Sequence, residues 1–89
     1  MTETADSALK FPCDFPIKAL GAQREDFDRL VVAIVRRHVP DLGEGAVSTR
    51  TSRGGNYLSV TVTVRATSRA QLDAIYRDLV DCEHVMMAL

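Results

Sequence analysis

Apolar and polar positions change rhythm along the chain, and those changes mark out its elements. Phe15, Ile17 and Ala19 alternate with Pro16, Lys18 and Leu20, which predicts a first strand over 14–20. Pro16 lacks a backbone donor, which suits an edge, a strand start or a bulge. Gly21 is expected to turn the chain out of that strand through left-handed backbone. Phe27, Leu30, Val31, Ile34 and Val35 then recur at three- and four-residue steps. This stripe predicts a helix over 23–38, with Asp26 early, Arg36, Arg37 and His38 late, and Pro40 as its stop. His38 is expected to help satisfy the last carbonyls of the helix.

Strands are predicted over 46–53 and 57–66, joined by a turn at Gly54-Gly55-Asn56. In the second, Leu58, Val60, Val62 and Val64 alternate without interruption against Ser59, Thr61, Thr63 and Arg65, so one face is buried and one solvated. Ser68 and Gln71 form a capping box ahead of the stripe Leu72, Ile75, Tyr76, Leu79 and Val80, which predicts a helix over 69–81. A last strand over 84–89 would present Val85, Met87 and Leu89 on one side and Met86 and Ala88 on the other. The order βαββαβ is that of an α+β, ferredoxin-like two-layer sandwich: a four-stranded antiparallel sheet with two helices on one face. Right-handed crossovers place strands 1 and 3 at the centre and strands 2 and 4 at the edges.

At 89 residues the chain has room for one domain, expected over 11–89 behind a flexible lead at 1–10, and a second domain is excluded. Hydrophobic residues at 46% and charged residues at 26% are ordinary globular proportions. A net charge of -1 argues against a global field for nucleic acid or anionic membrane. The polar start has no signal-peptide pattern and no apolar run is long enough to span a bilayer, so a cytoplasmic protein is expected. Cys13 and Cys82 are placed at opposite ends of the sheet, which excludes a disulfide between them.

Several short segments carry a family resemblance: Phe11-Pro12 with Phe15, Lys18 and Gly21, Arg37-His38 with Pro40, Ser52 to Tyr57 leading into Ser59-Val60, and Val85 to Leu89. In order and spacing they resemble the YbeD-like family of small uncharacterised bacterial proteins. The resemblance implies a fold like that of the ACT regulatory domain, a module that binds amino acids near the loop after its first strand. Ala22 and Gln23 stand where such modules commonly carry an acidic residue.

Neither histidine has a partner at metal-ligand spacing, and Cys82-Glu83-His84 lacks an orienting third group, so no metal, cofactor or catalytic residue is expected. The open sheet face, with Lys18, Arg50, Ser59, Thr61, Thr63, Arg65 and Met86, lacks central aromatics for stacking bases, which argues against nucleic acid. Topology gathers Gly21, Gln23, Arg24, Arg53, Asn56 and Tyr57 at one end, a candidate site for a carboxylate or phosphate ligand. The first expectation for function is a non-enzymatic regulatory or adaptor-like interaction module, meeting a protein partner or a second copy through a sheet edge, with Met86 on the more adhesive one. An ACT-like module sensing an amino acid or related metabolite is the alternative.

Overall fold

The computed structural model describes residues 10–89; the first nine, most of the predicted lead, lie outside the described residues. The chain runs through β1 (Cys13–Ala22), α1 (Phe27–Arg36), a 3-10 turn (Glu44–Ala46), β2 (Val47–Thr51), β3 (Tyr57–Ala66), α2 (Arg69–Asp81) and β4 (Met87–Ala88). The strands form one sheet ordered β2-β3-β1-β4, every neighbouring pair antiparallel. This is the ferredoxin-like sandwich, with β1 and β3 central as the crossover rule requires.

Alternation decides what the sheet buries. Ile17 and Ala19 on β1 and Leu58, Val60, Val62, Val64 and Ala66 on β3 point to the helices and are buried. Phe27, Val31, Ile34 and Val35 of α1 and Leu72, Ile75 and Leu79 of α2 cover them. Val80, counted in the α2 stripe, instead lies on the outer side of that helix at 67% exposure. Its neighbour Leu79 takes the inward position.

Gly21 does not leave β1 through left-handed backbone. It lies inside the strand opposite Leu58, and the left-handed glycine is Gly55 in the hairpin, with φ of 77°. What Gly21 supplies is space: a Cβ there would stand 2.4 Å from the His84 carbonyl oxygen and 2.5 Å from the Phe27 ring. With Gly21 extended, β1 continues to Ala22 and α1 starts at Phe27, the first residue of its apolar stripe, four residues later than the predicted start at Gln23. The intervening turn is held by Gln23 N–H donating to the Asn56 carbonyl (2.9 Å) and Phe27 N–H to the Arg24 carbonyl (3.3 Å).

α1 ends at Arg36, and the His38 ring turns away from its carbonyls toward α2. Its Nε2 lies 2.7 Å from Asp78 Oδ2, a closer partner than any terminal carbonyl. The predicted cap of α2 forms in part. Ser68 Oγ accepts from Gln71 N–H (3.1 Å), but Gln71 Oε1 accepts from Thr67 N–H (2.8 Å) rather than from Ser68 N–H. Its Nε2 donates to the His38 carbonyl (3.3 Å), so His38 and Gln71 tie the end of α1 to the start of α2.

The last strand is shorter than 84–89 and its faces are inverted. Leu20 pairs with Met87 and Ala19 with Ala88, so Met87 takes the open face and Ala88 the helix side. Met86 therefore precedes the strand instead of lining its outer face. It is 60% exposed and donates its N–H to the Leu20 carbonyl (2.7 Å). Cys82 caps the end of α2, and both cysteines are free thiols.

Gly21→Ala forces its methyl group into the Phe27 ring and the His84 carbonyl, and overpacking of this kind costs about 2 kcal/mol. The expected outcome is a lower urea midpoint with an unchanged m-value, measured by circular dichroism.

Candidate functional site

The end of the sheet near Gly21 is built from backbone closure and one polar cluster. Arg24 Nε donates to Asp26 Oδ1 (2.7 Å), and its Nη1 faces the His84 ring, 2.8 Å from Nδ1. The hydrogen bond from Arg24 holds the Asp26 carboxyl below the ordinary carboxylate range. The cluster joins the turn before α1 to the segment before β4. It also occupies Arg24, and the Gln23 and Phe27 amides are taken by Asn56 and Arg24 carbonyls.

The predicted site residues fall into two groups. Gln23 and Arg24 form this closed turn, with Asn56 joined to it through its carbonyl, and Gly21 lies beside it in β1. Arg53 and Tyr57 lie instead on the open face, where they line a hollow of about 250 Å³ with Leu20, Arg50 and Ser59. A second hollow of about 320 Å³ adjoins it through Arg50 and Ser59 and adds Lys18, Ser48 and Thr61. The open face therefore carries cations among hydroxyls. Among the described residues Arg65 is paired with Asp14 (3.3 Å), while Lys18, Arg50 and Arg53 take part in no salt bridge.

The other side of the same region holds a groove that the periodic reading of the sequence passes over. It measures about 630 Å³, and its walls include Val32 and Ala33 of α1 and Val47 and Thr49 of β2. Val32 and Ala33 fall outside the core stripe of α1, and two adjacent apolar residues on the far side of an amphipathic helix are the signal that points to it. Asp28 and Glu44 against Arg29 and Arg36 leave the groove without a dominant charge.

Between groove and open face runs the outer edge of β2, which no other strand pairs among the described residues. Ser52 N–H donates to the Tyr57 carbonyl (2.8 Å). Hydrogen-bonded and non-bonded pairs alternate along an antiparallel ladder. Ser48 and Arg50, paired with Thr61 and Ser59, therefore direct their backbone groups to β3. Thr49 and Thr51 direct theirs outward, and the Val47 carbonyl does the same, its N–H being bonded to the Glu44 carbonyl.

Among the described residues no group of three or more His, Cys, Asp or Glu side chains is placed to hold a metal ion, and no helix is long and apolar enough to cross a membrane. Arg24→Ala is expected to return the Asp26 carboxyl to its ordinary titration range, followed by carboxyl-carbon NMR. Because the folded-state value is depressed, this contact's contribution is present above the unfolded value and fades as pH falls through the folded one.

Residues 6–89 match the family model described as "Protein of unknown function (DUF493)". A UPF0250 protein of Nitrosomonas europaea is 44% identical over 86 residues, covering 97% of this chain and 99% of the relative. That of Paraburkholderia phytofirmans is 49% identical over 79 residues, 89% of each chain, and that of Chromobacterium violaceum 43% identical over the full length of both. The solution structure of protein HP0495 from H. pylori superposes with a TM-score of 0.69 at 11% identity, over 91% of this chain and 85% of that one, a likeness of fold alone. These matches correct the YbeD-like assignment, which rested on short segments rich in turn and helix-stop residues such as Gly54-Gly55-Asn56 and Pro40. Similarity along nearly the whole length outweighs such pieces: the chain belongs to the DUF493 (UPF0250) family.

Proposed function

We propose that this domain is a non-enzymatic interaction module that binds a protein partner by accepting an added strand along β2. The observation that carries the reading is the outward-directed backbone of Thr49 and Thr51 beside a groove lined by Val32, Ala33 and Val47. An edge of this kind supplies main-chain hydrogen bonds for affinity and a flanking groove for side-chain specificity. β4 is the poorer edge for this purpose: it has two residues, against five in β2. Met86 with Met87 and Leu89 then serves as an accessory apolar surface. Metabolite sensing at the Gly21 end has less support, since Phe27 fills the space beside Gly21 and the neighbouring amides are already bonded.

Thr49→Pro tests this directly. The substitution removes an N–H that faces away from β3, so the ladder within the domain is kept while an incoming strand meets a ring in place of a donor. Folding is checked by circular dichroism and amide NMR. With the fold intact, partners recovered by cross-linking with the wild-type chain are expected to be lost with the variant. Recovery of the same partners at equal yield would overturn the proposal.

A further inference from the structure

We infer that the segment completing the β2 edge is an extended peptide in which acidic residues alternate with apolar ones. The inference rests on the edge reading above and assigns the partner's chemistry. A strand added beside β2 sends successive side chains to opposite faces of the sheet. On one face they lie over Val47 and Thr49 and enter the groove walled by Val32 and Ala33. On the other they lie beside Ser48 and Arg50 on the open face.

The two faces ask for different chemistry. On the groove side the charges balance and the floor is apolar, so apolar side chains gain most from burial there. On the open side beside β2 the charge is one-signed, Asp14 lying beyond the end of β2 and paired with Arg65. From Gly45 to Leu72 the chain has four arginines and no carboxylate. Among the described residues Arg50, Arg53 and Lys18 are in no salt bridge. A cross-strand carboxylate beside Arg50 supplies the missing partner, as opposite charges do in native sheets.

The same charges weigh against other occupants. A second copy paired through β2 would bring both Arg50 side chains to one face and contribute no acid. A nucleic acid could use the cations but neither the backbone edge nor the apolar groove.

The test uses the full chain and a fluorescent peptide whose core alternates Glu and Val, read by polarisation. Control peptides carry Lys in place of Glu, or Ser in place of Val, and a single-stranded RNA serves as a non-peptide polyanion. The Glu-Val peptide is expected to bind, with affinity reduced about tenfold by Arg50→Glu. Arg50→Glu is expected to prefer the Lys-Val peptide, and Thr49→Pro to bind neither. Amide NMR should place the largest shifts at Thr49 and Thr51. No binding of the Glu-Val peptide, equal binding of the Lys or Ser controls, or RNA binding that displaces the peptide would overturn the inference. So would concentration-dependent self-association, in sedimentation, that Thr49→Pro abolishes. Should the peptide fail while Thr49→Pro still removes captured partners, the edge reading stands and only the alternating chemistry falls. Should Thr49→Pro leave capture unchanged, both fall.

Discussion

The pairing of β1 with β3 is the constraint from which the remaining geometry follows. Ten consecutive pairs, Cys13 with Ala66 through Ala22 with Tyr57, set one register for the centre of the sheet. A slip of β1 by one residue against β3 would turn Ile17 and Ala19 to solvent and put Lys18 against the helices while Val60 and Val62 stayed inside, so the hydrophobic pattern enforces the alignment. With it in place, Phe27 has a single location, against the strand where Gly21 leaves room, and α1 starts there. The same register fixes which groups of β3 face β2. It thereby determines, two strands away, which backbone groups of β2 remain outside.

Charge is distributed by layer, and the net value of -1 conceals it. Acids cluster on the helices and their flanking loops: Glu25, Asp26 and Asp28 around the start of α1, and Asp73, Asp78 and Asp81 on α2. Several of them are used locally, Asp26 by Arg24, Asp78 by His38 and Asp73 by Arg69. The sheet receives the opposite balance because β2, the hairpin and β3 contribute arginines and hydroxyls but no carboxylate. Exposed charges of one sign repel weakly through water when apart, so the arrangement is tolerated in the isolated domain. It becomes selective once another chain lies against it.

Much of this architecture was legible in the chain. β3 and α2 match their predicted bounds, 57–66 and 69–81, because uninterrupted alternation and a Ser-led cap are local signals. Three features escaped because they depend on contacts distant in sequence. Gly21 looks like a turn residue until Phe27 and His84 are brought beside it. His38 looks like a helix terminus until Asp78, forty residues on, receives its ring. The faces of β4 are inverted from the expected ones because two residues of strand are too few for alternation to choose a side, and pairing with Ala19 and Leu20 chooses instead. At the candidate site the arginines were visible as types, but their shared face and the groove behind β2 arise only when α1 packs across the sheet.

The two sheet edges resolve the same hazard differently. An exposed edge invites indiscriminate pairing, and very short strands or charged side chains are the usual protection. β4 takes the first course, with two residues and apolar Met87 beside Leu20. β2 takes the second: it is long enough to template a strand, and its open-face side chains are Ser48 and Arg50. Shortness discourages every partner alike, whereas an arginine discourages a basic or identical strand and favours an acidic one. Protection by charge is therefore also a filter, and the edge guarded in this way is the one able to recognise a particular chain.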